Sequence, residues 1–141
     1  MSRRILESMD RAAKSFNLVR VFAALADPTR LRLLNLMNGR EVCVCYFVEI
    51  LKQSQPKISR HLAYLRNAGL VDARRDGKWM HYSIERPQHR EAAKVLDATL
   101  ESLKADPAMQ ADLTRLDKAC CSPQNFVTLQ SAPLPAQLPT K

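Results

Sequence analysis

The sequence predicts a mainly α-helical fold with one small β-hairpin, arranged as a winged helix-turn-helix. Apolar residues recur at helical spacing through most of the chain, which indicates amphipathic helices. Two strand-like runs flank Asp76-Gly77, and an Asp-Gly pair in that position is the strongest short-range signal for a hairpin. The only three glycines, Gly39, Gly69 and Gly77, each fall where a helix is expected to end or the hairpin to turn.

The length and composition favour one compact domain. The chain has 141 residues, of which 46% are hydrophobic, so a substantial core can form. No apolar run approaches the roughly 20 residues that a membrane-spanning helix needs. Residues 1–7 are charged and lack the apolar core of a secretion signal. The sequence therefore predicts a soluble cytoplasmic protein with no membrane partner.

The formal net charge of +8 is concentrated in the middle of the chain. Residues 54–90 hold 8 basic and 3 acidic residues and all three histidines. A basic surface on a compact module is the electrostatic footprint of a protein that binds a phosphate backbone. Charge alone is equally compatible with a basic soluble protein that binds no nucleic acid.

Capping signals and apolar spacing divide the chain into successive helices. Asp27 can cap a helix and Pro28 suits its first position. Ser54 can cap the helix predicted over residues 55–67, with Pro56 in its first turn. The long helix after the hairpin has more apolar surface than packing on a small domain needs, so part of it is expected to face a second subunit. The predicted helices are residues 3–15, 16–26, 28–37, 43–52, 55–67, 87–104 and 107–118.

The helix over residues 55–67 is the predicted DNA-reading helix. Ile58, Leu62 and Leu65 share one face, which is expected to be buried. Polar side chains gather on the opposite face, where Gln suits adenine edges and Arg or Lys suits guanine edges. Cations in the hairpin would contact phosphates and contribute affinity rather than sequence information. The candidate DNA-contacting residues are Ser54, Gln55, Lys57, Ser59, Arg60 and His61 on the helix, with Arg74, Arg75 and Lys78 near the hairpin tip.

An ordinary solvated helix face is the alternative interpretation of these residues. The cationic hairpin directly after the helix argues against it. The predicted domain for DNA binding and dimerisation is residues 1–119. Residues 120–141 are predicted to form a Cys-Cys motif followed by a flexible tail that contains several prolines.

Cys43 and Cys45 are expected at the N-terminus of the helix before the reading helix. Helix N-termini favour anions, so the pKa of these thiols is expected to be lowered. Thiolates select soft, thiophilic ions. Residues i and i+2 of a helix lie about 200° apart, so binding one ion with both sulfurs would require the first turn to unwind. That unwinding would move the reading helix. The alternative is two small buried residues that only fill the core.

Cys120 and Cys121 follow the last predicted helix. A disulfide is not expected, since cytosolic thiols are normally kept reduced. These two thiols can complete a site that begins elsewhere, form a site of their own, or have no function. A small reductase that uses them is a further alternative, but no acid–base partner can be assigned to them. The sequence predicts no catalytic residues and no catalytic cofactor.

Residues 17–105 resemble the ArsR/SmtB family of metal- and metalloid-sensing repressors. The resemblance implies a homodimer formed through the first and last helices, bound to double-stranded DNA at an inverted-repeat operator whose transcription it blocks. Arsenic(III) or antimony(III) bound to cysteine thiolates would release it, and arsenic resistance genes would be its targets. The resemblance rests on residues 25–34 (LADPTRLRLL), 41–45 (EVCVC), 54–62 (SQPKISRHL), 68–71 (AGLV) and the Asp76-Gly77 hairpin.

The sequence departs from one arsenic-binding arrangement of this family. That arrangement has a third cysteine three residues after the CxC pair, where this chain has Val48. We hypothesise that Cys120 or Cys121 supplies the third ligand, from the same chain or its partner. A zinc site on the long helix is not expected, because His89 and Asp97 lack the matching second histidine. Sensing of zinc, cadmium, lead or thiol oxidation through the same cysteines remains the alternative function.

Overall fold

The computed structural model describes residues 17–121, 124, 129 and 132–138. The prediction of a mainly helical winged helix-turn-helix is confirmed, while the helix expected over residues 3–15 lies outside the described residues. The elements are, in order, α1 (Leu18–Leu25), α2 (Pro28–Met37), β1 (Arg40–Cys43), α3 (Val44–Leu51), α4 (Gln55–Asn67), β2 (Val71–Asp76), β3 (Trp79–Ile84), α5 (Arg90–Leu103), α6 (Pro107–Cys121) and β4 (Ala136–Gln137).

The predicted capping residues set the starts of the helices. The Asp27 carboxylate accepts a hydrogen bond from the Arg30 amide at 3.0 Å, and Pro28 opens α2. The Ser54 hydroxyl accepts one from the Lys57 amide at 3.4 Å at the start of α4. Each side chain satisfies an amide that the first turn of a helix leaves without a partner.

The hairpin of β2 and β3, which we call the wing, is part of a larger sheet with the strand order β2-β3-β1-β4. The wing closes at Asp76 opposite Trp79, with Gly77 at a φ of +59° that favours glycine. Strand β1 runs antiparallel to β3 and pairs Cys43 with His81. The sequence pattern predicts neither β1 nor its pairing, because four residues are too few to show a strand period.

The described part of the C-terminal segment contacts the sheet. Strand β4 pairs with β1, and Leu129 is almost fully buried. The predicted boundary between residues 119 and 120 falls inside α6, which continues to Cys121. The sequence predicts that the tail from residue 122 onward is flexible. Most of this tail lies outside the described residues, namely residues 122–123, 125–128, 130–131 and 139–141.

The core is built around α2, and α6 docks on it through polar contacts. Asp112 of α6 is 1% exposed. It accepts hydrogen bonds from Arg32 Nε at 2.7 Å and Nη2 at 3.0 Å, and another from Arg115. Burial alone would raise the pKa of Asp112, but the two guanidinium groups hold it below its ordinary value. Asn35 adds a hydrogen bond to the Met109 carbonyl at 2.9 Å. Four fully buried side chains of α2 form its apolar side: Leu33, Leu34, Leu36 and Met37.

Exposed apolar surface is concentrated on α1. Val21 is buried, but Leu18, Val19 and Phe22 are 43%, 78% and 52% exposed. The apolar positions of α5 are buried or half-buried against the same chain. Among the described helices, the most exposed apolar side chains therefore lie on α1, while Val95 and Leu100 of the long helix, where the sequence predicts a subunit contact, are half-buried. No helix within the described residues is long and apolar enough to span a bilayer.

Candidate DNA interface and thiol site

Helix α4 presents the polar face that the sequence predicts. Its apolar residues Ile58, Leu62 and Leu65 are fully buried, which fixes the rotation of the helix. The opposite side is open to solvent, as a surface that enters a DNA groove must be. Ser54, Gln55, Lys57 and Arg60 are exposed, and Ser59 is half-buried.

His61 points away from this exposed face, toward α2. Its Nδ1 lies 3.2 Å from Arg30 Nη1 and 3.8 Å from an Asp27 carboxylate oxygen. Arg30 also donates to the Ala24 carbonyl at 2.7 Å, and its guanidinium carbon lies 4.2 Å from the centre of the Tyr64 ring. Arg30 therefore ties the end of α1 and the start of α2 to the middle of α4. We call Arg30, His61 and Tyr64 the Arg30 cluster; it positions the reading helix.

The three predicted wing cations have different surroundings. Arg74 is bound to Glu41 of β1, with Nη2 to Oε1 at 2.6 Å and Nε to Oε2 at 3.2 Å. The hydrogen bonds from Arg74 lower the pKa of Glu41. The Lys78 ammonium lies 5.0 Å from the centre of the Trp79 ring at the wing tip, and Arg75 is exposed. Arg75 and Lys78 are thus available at the tip, whereas Arg74 already has a carboxylate partner.

Cys43 and Cys45 bring their sulfur atoms to 3.7 Å, so the expectation that they cannot face one ion is wrong. That expectation assumed that both residues are helical. Cys43 ends β1 and has extended backbone (φ −70°, ψ 143°), and α3 begins only at Val44. The 100° step per residue therefore does not apply between the two cysteines. The first turn of α3 need not unwind for both sulfurs to reach one atom.

The expectation of a lowered thiol pKa is also wrong for Cys45. Burial, together with the charge of Cys43 and the hydrogen bond that the two thiols share, raises the pKa of Cys45 to about 11. The helix N-terminus is outweighed because the sulfur is partly removed from water. The Cys45 thiol is therefore protonated at neutral pH, and a ligand must displace its proton.

Cys120 lies on the side of α6 that packs against the core, whereas Cys121 is exposed. Burial raises the pKa of Cys120, and the neighbouring Arg40 partly opposes this. All four cysteines are free thiols. Within the described residues, no three His, Cys, Asp or Glu side chains are close enough together to hold an ion. The thiol pair and Cys120 are therefore not assembled into one site.

Tyr46 and His81 were not singled out as site residues from the sequence, yet both adjoin the thiol pair. Tyr46 follows Cys45 in α3 and is fully buried, and His81 is the strand partner of Cys43 and is 4% exposed. The sequence could not predict these positions, because an aromatic residue in an apolar helix and a histidine in a hairpin are both common and do not indicate a nearby thiol pair. On α5, Asp97 accepts a hydrogen bond from Arg86 at 2.8 Å.

Helix α4 buries one face and presents polar side chains on the other, and the wing with cations at its tip follows it directly. This arrangement defines a DNA-binding regulator of the winged helix-turn-helix class. Residues 27–73 match the model of the bacterial regulatory protein, arsR family. The chain is 48% identical over 80 residues to the arsenical resistance operon repressor of Escherichia coli strain K12, which covers 56% of this chain and 68% of that protein. The chain belongs to the ArsR family and is a transcriptional repressor of that family.

Further comparisons agree with this assignment. The chain is 45% identical over 98 residues to the arsenic resistance transcriptional regulator ArsR1 of Pseudomonas putida KT2440, covering 66% of this chain and 77% of that protein. Among solved structures, HlyU from Vibrio cholerae N16961 is similar with a TM-score of 0.53 and 27% identity, over 65% of this chain and 94% of that one. These likenesses support the winged fold beyond the matched family segment.

Proposed function

We propose that this repressor leaves its operator when trivalent arsenic or antimony binds to Cys43 and Cys45. The observation that carries the proposal is the 3.7 Å separation of their sulfurs at a strand–helix junction. Two thiols held side by side suit a soft ion that takes several sulfur ligands. The names of the two relatives, which both refer to arsenic resistance, support arsenic as the inducer and arsenic resistance genes as the target.

We propose Cys120 of the same chain as the third ligand. It lies on the buried side of α6, and Cys120, Cys43 and Cys45 each raise the pKa of the Tyr46 hydroxyl when they are ionised, which indicates that the three lie in its surroundings. The third sulfur would join the pair through a movement of the last turn of α6, since the three are not assembled in the absence of a ligand. Cys121 is exposed and is the weaker candidate. Supply of the third thiol by a partner chain is the alternative.

The coupling to DNA follows from the position of Cys43. It ends β1, which pairs with wing strand β3, and it precedes α3, which leads through residues 52–54 to α4. A ligand that draws the two sulfurs onto one atom would displace this junction. Both DNA-contacting elements are attached to it, so their relative placement would change. This route replaces the unwinding of α3 that the sequence suggested.

Dimerisation is a further part of the proposal. Leu18, Val19 and Phe22 form an exposed apolar face on α1, which is costly to leave in water. A second copy that covers this face would give the two reading helices of an inverted-repeat operator. Sedimentation analysis of the full chain measures the oligomeric state directly.

We expect Arg60→Ala and His61→Ala to weaken DNA binding in different ways. Arg60 is exposed on α4 and is proposed to read a base, so its loss should cost roughly 1–3 kcal/mol on the operator and little on unrelated DNA. His61 belongs to the Arg30 cluster, so its loss should weaken binding to both DNAs by a similar factor. Fluorescence anisotropy at one fixed salt concentration measures both. Equal losses for Arg60→Ala on both DNAs would make Arg60 a phosphate contact instead.

Titrating inducers into the operator complex tests the sensing proposal. Arsenous acid loses one As–O bond for each As–S bond that it forms. The leaving hydroxyl takes the thiol proton and departs as water, so binding to protonated thiols releases no net proton. A divalent ion displaces one proton per thiol, so its affinity rises with pH. The arsenite concentration for half release should therefore stay nearly constant between about pH 6 and 8, while that of cadmium falls steeply.

Other outcomes of this titration favour the alternatives. Release by zinc, cadmium, lead or peroxide, with no release by arsenite, would indicate a different inducer for the same thiols. Measurable arsenate reductase activity that is lost in Cys120→Ser would indicate an enzyme. Antimonite should act like arsenite, because both elements are trivalent and thiophilic.

A further inference from the structure

Two buried polar atoms have no hydrogen-bond partner within the described part of the chain, the Tyr46 hydroxyl and Nε2 of His81. Tyr46 follows Cys45 directly, and His81 is paired with Cys43 across two strands. Nearly all buried polar groups in folded proteins are hydrogen-bonded, so each exception requires an explanation. Both residues adjoin the thiol pair, in the chain or in the sheet, but His81 Nε2 also lies 3.8 Å from an Asp76 carboxylate oxygen. The Tyr46 hydroxyl is therefore the exception that requires the explanation.

The Tyr46 hydroxyl is the better defined of the two. The side chain is fully buried, and phenylalanine would fill the same space without burying a polar atom. Burial, followed by the charges of Cys120, Cys43 and Cys45, raises the pKa of Tyr46 to about 12. The cysteines of the proposed site therefore belong to the surroundings of this hydroxyl. A tyrosine hydroxyl can donate one hydrogen bond.

We propose that the Tyr46 hydroxyl donates a hydrogen bond to a sulfur of the thiol site in its ligand-bound state. This inference rests on the proposed function. Within the described residues, no sulfur lies in hydrogen-bonding position with the hydroxyl in this state, so the bond forms only when a ligand draws the sulfurs together. A ligand replaces the thiol protons, and the sulfur that it holds has thiolate character and accepts a stronger hydrogen bond. The bound state thus gains an interaction that the free protein lacks. Tyr46 is a positioning residue: it acts on the ligand through a sulfur.

The test compares Tyr46→Phe with Tyr82→Phe in the full chain. Tyr82 is half-buried on β3 and pairs with Val42, so its variant removes an equivalent hydroxyl outside the thiol site. We expect Tyr46→Phe to raise the arsenite concentration for half release by about tenfold. Its operator affinity without arsenite should stay unchanged, and its Tm should stay equal or rise, because an unpartnered buried hydroxyl is gone. Tyr82→Phe should respond to arsenite like the unmodified chain.

Each other outcome counts against the inference. An arsenite response of Tyr46→Phe within about twofold of the unmodified chain would overturn it, and the proposed function would stand. A lowered Tm or weakened operator binding without arsenite would assign Tyr46 a structural role instead. Direct binding is followed by the ultraviolet absorbance of arsenic–thiolate bonds. An unmodified chain that shows neither this absorbance nor operator release would overturn the proposed function and this inference together.

Discussion

Cys45→Ser is expected to stay on the operator at arsenite concentrations that release the unmodified chain, with a shift of at least about a hundredfold, or more than about 2.7 kcal/mol. A hydroxyl is a hard ligand that binds a thiophilic ion far more weakly than a thiolate. Cys45 is the better position for this test than Cys43. Cys45 is only partly buried, whereas a serine at the fully buried Cys43 would place a hydroxyl in the core. Operator affinity without arsenite should be unchanged.

Two further serine variants calibrate this result. Cys121→Ser removes an exposed thiol and is expected to respond like the unmodified chain. Cys120→Ser removes the proposed third ligand, so it should lower the number of thiolates per bound arsenic from three to two and weaken the response. Anisotropy of a labelled operator and the arsenic–thiolate absorbance measure both properties. A Cys45→Ser protein that leaves the operator at the same arsenite concentration as the unmodified chain would refute the role of the thiol pair.

Arg32→Met is expected to lower the free energy of unfolding by about 3 kcal/mol at pH 7. Asp112 is 1% exposed and takes two of its hydrogen bonds from Arg32, so the variant leaves a buried carboxylate with only the half-exposed Arg115 beside it. Urea unfolding followed by circular dichroism measures the loss. The matched control is Arg86→Met, which breaks an exposed pair with Asp97 and should cost under about 1 kcal/mol.

The pH dependence of the Arg32→Met effect has a defined sign. The pKa of Asp112 is lowered in the folded chain, so its contribution is present above its unfolded pKa of about 3.9 and is lost as the pH falls through the folded value. In the variant, the carboxylate protonates at a higher pH and ceases to be a buried charge. The difference between the two proteins should therefore be largest near pH 7 and shrink below about pH 5. A difference that is constant down to about pH 3 would contradict this assignment.

Features that depend on neighbours in the sequence were predicted correctly. The caps at Asp27 and Ser54, the turn at Gly77 and the buried face of α4 all follow from interactions within a few residues. Such interactions are encoded by short patterns, because the partners lie at fixed offsets along the chain. The order of the helices and the wing, and with it the winged fold, therefore follows from local patterns in the sequence.

The candidate site was predicted only in part. The four cysteines and the exposed residues of α4 could be named from their chemistry and spacing. The partners of His61 and Arg74 could not, since Arg30 and Glu41 lie more than 30 residues away from them in the chain. His61 therefore turns toward α2, and Arg74 is paired with a carboxylate although it stays exposed.

The sequence by itself determined a winged helix-turn-helix with a CxC pair one helix before the reading helix. Only the tertiary structure decided that the pair can act as one site. Pairing of β1 with β3 keeps Cys43 in extended backbone, and this places its sulfur 3.7 Å from that of Cys45. The same packing raises the pKa of Cys45 and buries the Tyr46 hydroxyl without a partner. The physical reason is that backbone geometry and burial at this junction depend on a strand about 40 residues away, which no local pattern records.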